Sequence, residues 1–428
     1  MAKMSLISQE THIYSERDLS SFLKNRELPR HRWLEFKEGF SAELVQVAVS
    51  EAKRKRPRIL DPFSGSGTTV VEAARLGCKA TAIEVNPFLF DVTSAKCHPW
   101  MEDTRKLSIW RDRVLKGSCI EERSPLEGQS TFTEDARVDK WIFNTSVLRG
   151  YTALSTAVRG INASWNTAMK IASLSALMDS SNVRRDGKCV RYKKNWKQVG
   201  LSSRDFRDAF ERISKQVIDD LGADRLDGSL PNLIRGDAKV ELRKLKSNSH
   251  DLVVTSPPYL NSFDYSDVYR PELFAGGYVR NNLDLRAIRL KTLRSHVQVE
   301  RPFASTASST LLDPILSELS GKKLWNNRIP GMIASYFWDM KAILKELQRI
   351  VRPGGSSWLV VSTSAYGGVQ IPVDLILADL GEQSGWALRG VYVLRRLRSA
   401  GQHWAHLEDP KKLPLRESVI VFDKPLAG

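Results

Sequence analysis

Residues 56–85 read RPRILDPFSGSGTTVVEAARLGCKATAIEV. This stretch predicts a strand over 58–61, a glycine–serine loop, a helix over 69–76 and a second strand over 80–85, because the hydrophobic pattern changes from strand-like to helical and back. A strand–helix–strand unit of this size implies a parallel sheet with helices on both faces. The sequence therefore predicts an α/β fold.

The regular alternation stops after this unit. Residues 101–230 carry helical patterns without convincing strand pairs, which predicts a helical insertion into the α/β domain. Its clearest helix starts at the capping residue Ser202 and places Phe206, Phe210, Ile213, Val217 and Leu221 at helical spacing. The stretch 184–215 contains eleven Lys or Arg and four acidic residues. Such a stretch is either a solvated helix face or a surface that faces phosphates.

Strand-like sequence returns in the second half of the chain. Five strands are predicted there, over 231–238, 251–259, 356–364, 387–397 and 417–424. The last two suit an antiparallel hairpin at the end of the sheet. A helix is predicted over 337–350, where an Arg-Pro-Gly-Gly sequence follows as a stop signal. Residues 260–330 are predicted to be irregular.

Charge and composition narrow the class of protein. Sixty-five Lys and Arg against 49 Asp and Glu leave a formal net charge of +16, which favours a polyanionic partner such as nucleic acid, although it also serves solubility. The sequence shows no apolar run of membrane-spanning length and no secretory signal, so we expect no membrane association. Four scattered cysteines without a CxxC pair predict a cytoplasmic protein with neither a zinc site nor a disulfide framework.

Histidine offers no competing chemistry in this sequence. His296, His403 and His406 lie in polar, basic stretches without metal-ligand company. We expect them to contact phosphate or to lie on the surface, and we expect no metal site.

The loop DPFSGSGTT, residues 61–69, is the first candidate site. Gly65 and Gly67 allow a tight turn at the carboxyl edge of the sheet, where ligands bind in open α/β folds. The loop lacks the lysine of triphosphate-binding loops, which disfavours ATP hydrolysis. Glu84, at the end of the second strand, either accepts hydrogen bonds from ribose hydroxyls or is a surface or capping acid. Asp237 either accepts a hydrogen bond from an adenine amino group or is a simple turn residue.

The second candidate site is Ser256-Pro257-Pro258-Tyr259, which ends a strongly apolar strand. Two prolines fix the backbone and remove two amide donors, so that carbonyls and the Ser256 hydroxyl remain to accept hydrogen bonds from an exocyclic amine. An aromatic amine is a poor nucleophile because its lone pair is delocalised, and acceptors that hold it in a near-attack geometry assist its reaction. Tyr259 can stack on a flat base. The alternative is a proline-stiffened loop with a structural tyrosine.

Together DPFSGSGTT and TSPPY resemble the motifs of the DNA amino-methyltransferases, the group that methylates cytosine N4 and adenine N6. The resemblance covers about 56–100 and 231–428. It implies a Rossmann-like sheet that binds S-adenosylmethionine, with methyl transfer to a base flipped out of double-stranded DNA. It assigns cofactor contacts to Asp61, Phe63, Gly65, Gly67, Thr68, Glu84 and Asp237. It assigns the target base to Ser256, Pro257, Pro258 and Tyr259.

The resemblance also implies a division of the chain and a biological setting. Residues 1–55 would form an N-terminal segment, 56–100 and 231–428 the methyltransferase domain, and 101–230 an insertion that recognises the target. Residues 260–330 are the rival recognition region or a lid. A serine at the first position of the second motif is more typical of N4-cytosine than of N6-adenine enzymes. A restriction endonuclease would be the functional partner.

Two features depart from the family pattern. The cofactor motif precedes the SPPY motif, whereas many N4-cytosine enzymes have the opposite order, and the insertion separates Glu84 from Asp237.

The segment 33–49 only partly resembles the family's contact to the methionine end of the cofactor. Lys37 or Phe40 would make that contact, unless the segment is an ordinary amphipathic helix with Leu44, Val45 and Ala48 on one face. After the second motif, Asn261, Asp264 and Tyr265 are expected to line the pocket.

Two other functions remain open at this stage. Some RNA guanine-N2 methyltransferases have a similar loop and an Asp-Pro-Pro-Tyr motif, but they carry an RNA-binding domain in front, where this chain has only about 60 residues. A catalytically silent DNA-binding subunit would have kept the fold alone. The intact Gly65, Glu84, Ser256 and Tyr259 argue against that alternative.

Overall fold

The computed structural model describes residues 19–99, 101–117, 121–135, 137–185, 190–226, 230–302, 309–397 and 415–426. Its strands are β1 (Ile59–Asp61), β2 (Ala80–Glu84), β3 (Val183–Arg185), β4 (Val190–Tyr192), β5 (Asn232–Arg235), β6 (His250–Thr255), β7 (Val351–Ser362), β8 (Ser364–Tyr366), β9 (Val369–Ile371), β10 (Ala387–Arg396) and β11 (Arg416–Asp423). Its α-helices are α1 (Ala42–Ser50), α2 (Thr68–Arg75), α3 (Pro87–Lys96), α4 (Arg105–Lys116), α5 (Thr145–Arg159), α6 (Ala163–Asp179), α7 (Trp196–Val199), α8 (Ser203–Ala223), α9 (Ala238–Glu241), α10 (Tyr265–Val268), α11 (Arg270–Ala275), α12 (Asn282–Lys291), α13 (Leu312–Ser320), α14 (Ile329–Ile350) and α15 (Val373–Gln383). Short 3-10 turns lie at Phe22–Arg26, His31–Trp33 and Leu242–Lys244.

One sheet of seven strands organises the molecule, in the order β10–β11–β7–β6–β1–β2–β5. The strands β5, β2, β1, β6 and β7 run parallel, and β11 and β10 add an antiparallel hairpin at one edge. From β1 the chain first builds one side of the sheet and then crosses to the other side through β6, so the strand order reverses at β1. Ligands bind at such a reversal, beyond the carboxyl ends of the strands. The predicted α/β fold, Rossmann-like in its parallel core, is confirmed.

Apolar side chains cover both faces of this sheet, because successive residues of a strand point to opposite sides. Ile59 of β1 packs with residues of α1 and α2 on one face. Its neighbour Leu60 packs on the other face, against a cluster that includes α14 and α15. Both side chains are fully buried. The sheet is thus held as the middle of three layers, which fixes its carboxyl edge.

The strongest local patterns of the sequence give the predicted elements. The strand–helix–strand unit forms as β1, α2 and β2, within one residue of most of the expected ends. Helix α8 begins at Ser203, and Ser202 is its N-cap as expected and shares a capping box with Asp205. Its predicted apolar face is buried except for Ile213, which is only partly buried. These elements follow from capping and periodicity within short stretches of chain.

The helices between 101 and 230 form a separate apolar cluster with α3 and with part of the N-terminal segment, including Trp33. Helix α6 packs against α8, α5 and α3. The expectation of no strand pairs in this region is wrong, because β3 and β4 form an antiparallel hairpin that pairs Val183 with Tyr192. Three-residue strands are too short to show an alternating pattern in the sequence.

The prediction of an irregular 260–330 region is also corrected. Its described part contains the helices α10 to α13, most of them short and therefore weak in periodicity. Helix α14 begins at Ile329 rather than at 337, with Pro330 in its first turn. A proline is tolerated there because the first amides of a helix have no intrahelical partner. Within the described residues, no helix is both long and apolar enough to cross a membrane.

Candidate functional site

A cleft lies beyond the carboxyl ends of β1, β2 and β6, where the strand order reverses. Its empty space is about 1040 Å³, which includes the part that is open to solvent. The structure brings residues of both predicted sites to it, namely Asp61, Phe63, Gly65, Thr68, Glu84, Asp237, Ser256, Pro257 and Pro258. Gly67 and Tyr259 are not among the residues that line it.

The glycine loop owes its shape to two positive φ angles. Gly65 has a φ of +52°, and a Cβ atom there would lie 2.8 Å from the ring of Phe36. Gly67 has a φ of +85° at the start of α2, where a Cβ atom would lie 2.9 Å from Thr93. Only glycine combines this backbone with this close approach. Gly65 therefore forms the floor of the cleft, whereas Gly67 allows the loop to pack closely against α3.

Asp61 links the two halves of the cleft. Its carboxylate accepts hydrogen bonds from the Phe63 amide at 3.0 Å and from the Thr255 hydroxyl at 2.6 Å. Thr255 is the last residue of β6, directly before the SPPY sequence. Burial raises the pKa of Asp61 to about 6, against the effect of these hydrogen bonds. The carboxylate thus fixes the end of β1 relative to the end of β6.

Glu84 lies on the cleft wall at the end of β2 and is almost fully buried. Its two carboxylate oxygens accept hydrogen bonds from the backbone amides of Gly65 and Asn86, both at 2.7 Å. Burial raises its pKa to about 7, although these hydrogen bonds oppose the shift. A carboxylate has further lone pairs available. Glu84 is therefore a fixed acceptor that can serve a ligand hydroxyl as well as the loop.

Asp237 follows β5 and lines the cleft beside Gly236 and Ala238. One carboxylate oxygen caps α9 by accepting a hydrogen bond from the Lys239 amide at 2.9 Å. The other lies 3.6 Å from the Lys239 ammonium. Burial is the largest cause that raises the pKa of this group. Asp237 is thus a turn residue that caps α9, as one of the two alternatives stated, and it also lies on the cleft wall.

The SPPY sequence forms the opposite wall. Ser256, Pro257 and Pro258 face the cleft, and no amide of the two prolines competes for acceptors there. The Tyr259 amide donates a weak hydrogen bond to the Tyr265 hydroxyl at 3.4 Å. The Tyr259 side chain hydrogen-bonds to Ser256. It is close enough to Glu417 and Arg395 for their charges to affect its pKa. Tyr259 thus stands beside the cleft rather than within its lining.

Two lining residues, Phe40 and Tyr265, come from the segments before the glycine loop and after the SPPY sequence. Tyr265 lines the cleft as expected, whereas Asn261 is exposed and absent from the lining. Phe40 lines it too, but the Lys37 ammonium donates to the Arg185 carbonyl at 2.8 Å, outside it. Phe40 stands just before α1, which buries Leu44, Val45 and Ala48 as an amphipathic helix. The amphipathic-helix interpretation is therefore confirmed for α1, whereas a contact of Phe40 with the cofactor stays a prediction.

Glu38 is a cleft residue that sequence analysis missed. One of its carboxylate oxygens accepts a hydrogen bond from the Tyr269 hydroxyl at 3.1 Å. The other, Oε1, is buried and has no hydrogen-bond partner among the described residues. Burial raises the pKa of this carboxyl. An acid next to a glycine carries no signal in the sequence, so only the packing of Phe36 and Tyr269 reveals it.

The expectation that His296 lies on the surface is wrong. Its side chain is 5% exposed and lines the cleft. Its Nε2 accepts a hydrogen bond from Arg301 at 3.0 Å, and burial lowers its pKa to about 4. The hydrogen of this neutral ring is therefore assigned to Nδ1. His403 and His406 lie outside the described residues.

Four buried polar atoms of the cleft lining have no hydrogen-bond partner among the described residues. These atoms are Glu38 Oε1, Ser66 Oγ, Asn86 Nδ2 and His296 Nδ1. Buried polar atoms are normally paired in folded proteins, by protein, water or a ligand. The remaining lining is largely apolar, with Phe36, Phe63 and Leu89. The cleft is therefore built for a ligand with apolar surface and several hydrogen-bonding groups. No group of metal-ligating side chains is found in the described part of the chain.

Comparisons with known proteins agree with this construction. A family model described as DNA methylase matches residues 10–95, which include the loop at 61–69 and Glu84. The chain is 26% identical to the Type II methyltransferase M.AvaI of Nostoc sp., over 97% of this chain and 90% of that protein. It is also 26% identical to the Type II methyltransferase M.BsoBI of Geobacillus stearothermophilus, over 98% and 90%.

A solved structure was also matched. An S-adenosylmethionine-dependent methyltransferase from Methanosarcina mazei aligns with a TM-score of 0.32 and 11% identity, over 89% of this chain and 97% of that one.

Proposed function

We propose that this chain is a DNA amino-methyltransferase of the restriction–modification type, like the proteins to which it is similar, and that it methylates the N4 amino group of cytosine within a specific DNA sequence. The observation that carries the proposal is the meeting of the glycine loop and of Ser256-Pro257-Pro258 in one cleft. A methyl donor bound by the glycine loop and an amine bound by Ser256-Pro257-Pro258 would lie in the same cleft. Proximity of this kind contributes a large part of the rate in two-substrate reactions.

S-adenosylmethionine is the cofactor, and when bound it supplies a methyl group activated by a positive sulfonium. The cleft fits this molecule. Glu84 accepts hydrogen bonds from ribose hydroxyls, and Asp237 accepts one from the adenine amino group. Phe36 and Phe63 provide apolar surface on the same wall. The unpartnered polar atoms on the lining match a ligand with several donors and acceptors.

The target amine is held by the opposite wall. The Ser256 hydroxyl and the Pro257 carbonyl accept hydrogen bonds from it and orient its lone pair. Pro257 and Pro258 keep this wall free of amide donors, which would compete with the amine. Tyr259 stands just outside the cleft lining, next to Ser256 and Pro258, and stacks on the base where the base enters past these residues. Tyr265 closes the same side of the cleft. The base reaches this depth only after leaving the DNA stack.

The choice of cytosine rests on Ser256. A short hydroxyl at this position suits the exocyclic amine of a pyrimidine, in keeping with the resemblance of SPPY to the N4-cytosine enzymes. The adenine enzymes of the family carry Asp or Asn at this position. The alternative target is therefore adenine N6, with the same cleft and the same cofactor.

The test is methyl transfer from labelled S-adenosylmethionine to unmethylated bacterial DNA, followed by nucleoside digestion and mass analysis. We expect label in N4-methylcytosine. Label in N6-methyladenine would overturn the interpretation of Ser256 while retaining the cleft. Label in RNA from the same cells and none in DNA would overturn the proposed polymer.

A further inference from the structure

The β3–β4 hairpin and helix α7 carry a dense positive charge. The described residues between 182 and 197 include no acid and six cations, which are Arg184, Arg185, Arg191, Lys193, Lys194 and Lys197. The side chains of Arg184, Lys194 and Lys197 are exposed. Among the described residues, no carboxylate forms an ion pair with Arg184, Lys194 or Lys197. We call these three residues the hairpin surface.

Aromatic packing keeps this surface in place. The Trp196 ring lies 4.7 Å from that of Trp141 and 4.9 Å from that of Tyr192, measured between centroids. The Trp141 indole donates a hydrogen bond to Asn144 at 3.0 Å, which ties the cluster to the start of α5. The Lys197 ammonium lies 5.6 Å from the Trp196 ring. Such contacts hold a four-residue helix that is too short to be stable alone.

Arg185, which pairs with Val190 at the end of the hairpin opposite Val183 and Tyr192, connects the hairpin to residues beside the cleft. Arg185 forms an ion pair with Glu272 of α11, and its guanidinium lies 4.6 Å from the Tyr269 ring. Tyr269 in turn donates its hydroxyl to Glu38 on the cleft wall. The Arg185 carbonyl accepts a hydrogen bond from Lys37. The hairpin is thus linked through Tyr269 to Glu38, which lines the cleft.

We propose that the hairpin surface binds backbone phosphates of duplex DNA next to the target base. The inference rests on the proposed function and adds to it the part of the insertion that contacts the substrate. Three exposed cations without acidic partners match a polyanion, and the link from their hairpin through Arg185 and Tyr269 to Glu38 of the cleft favours the DNA substrate as that polyanion. Phosphate contacts of this kind supply most of the sequence-independent affinity for DNA.

A matched control exists in the same insertion. Helix α4 is also basic, and its residues Lys106, Arg113 and Lys116 are exposed. It packs against α8, and the preceding Met101 amide hydrogen-bonds to the Leu221 carbonyl near the end of that helix. Removing three charges from α4 therefore changes the net charge by the same amount as removing the hairpin surface. The two changes differ only in place.

The experiment compares Arg184→Ala/Lys194→Ala/Lys197→Ala with Lys106→Ala/Arg113→Ala/Lys116→Ala in the full chain. The Kd for an unmethylated duplex is measured by fluorescence anisotropy over a series of salt concentrations, with S-adenosylhomocysteine present. We expect the hairpin variant to bind at least about tenfold more weakly and to lose roughly 2 to 3 units of slope in log K against log salt. The α4 variant should stay within about threefold of the unmodified protein, because α4 packs on α8 and not on the residues that connect the hairpin to the cleft.

The affinity for the cofactor serves as the folding control. Both variants should bind S-adenosylmethionine as the unmodified protein does, since all six residues are exposed. Lys194→Glu is a second test that reverses one charge. It should weaken DNA binding more than removal of that one charge does. Normal DNA affinity of the hairpin variant, or equal losses in both triple variants, would overturn the assignment of this surface while the proposed function stands. Failure of the unmodified protein to bind any duplex would overturn the proposed function together with the surface.

Discussion

The cleft and the hairpin surface use charge in opposite ways. In the cleft, the carboxyl groups of Asp61 and Glu84 are buried, and each is held by hydrogen bonds from the loops around it. On the hairpin surface, Arg184, Lys194 and Lys197 are exposed and have no carboxylate partner among the described residues. The first arrangement fixes the geometry of a small ligand, and the second attracts a large polyanion over distance.

This difference predicts which substitutions affect which substrate. A cleft group acts through short contacts, so its loss changes the affinity for the cofactor or the turnover with little dependence on salt. A cation of the hairpin surface attracts DNA phosphates through an electrostatic interaction that salt screens. Its loss therefore changes the affinity for DNA and the salt dependence of that affinity. The predictions below separate the two effects, from the largest to the smallest.

Gly65→Ala should cause the largest change. At a φ of +52° the new Cβ atom would lie 2.8 Å from the Phe36 ring, so the floor of the cleft must shift. Backbone strain of about 1–2 kcal/mol adds to the steric cost. We expect S-adenosylmethionine to bind at least about 100-fold more weakly, measured by isothermal titration calorimetry.

Gly277→Ala is the matched control for that change. Gly277 also has a positive φ, of +72°, but a Cβ atom there meets nothing within 4 Å. The substitution should lower the free energy of unfolding by about 1 kcal/mol and leave cofactor affinity unchanged. Equal cofactor affinities of the two variants would show that Gly65 does not form the floor of the site.

Tyr259→Ala should reduce turnover about 10- to 100-fold, because a stacked base loses roughly 1–3 kcal/mol when its aromatic partner is removed. The cofactor Kd should change less than about threefold, since Tyr259 does not line the cleft. Tyr259→Phe keeps the ring and should retain most of the activity. Steady-state methylation of a cognate duplex measures both variants. A loss confined to cofactor affinity would reassign this residue.

The pH dependence of cofactor binding should report on Glu84. Burial raises the pKa of its carboxyl to about 7 in the free protein, and ribose hydroxyls donate best to the ionised form. Binding should therefore strengthen as the pH rises, by about tenfold from one unit below this pKa to well above it. In Glu84→Gln the amide does not titrate, so the Kd should be weaker at high pH and nearly independent of pH above 6.5. A wild-type profile that stays flat over this range would exclude the ribose role.

The sequence revealed the parts of the site that are continuous in the chain. The glycine loop, Glu84 and the SPPY sequence stand at the ends of β1, β2 and β6, and the carboxyl ends of parallel strands necessarily meet at one edge. Local periodicity and turn residues were therefore sufficient to predict the α/β fold and a site at the sheet edge with Gly65, Glu84 and Ser256. The assignment of Asp61, Phe63 and Thr68 came from the resemblance to the family. Their catalytic and binding roles remain predictions.

The sequence by itself determined the strand–helix–strand unit, the capped helix α8 and the chemistry available at the sheet edge, because each depends on neighbours within a few residues. Only the tertiary structure decided that Glu38 and His296 line the cleft, that Tyr265 rather than Tyr259 faces into it, and that the β3–β4 hairpin is linked to its lining. Those positions depend on which distant segments pack together. Packing of this kind is set by the shape and burial of many side chains at once, and no single stretch of sequence encodes it.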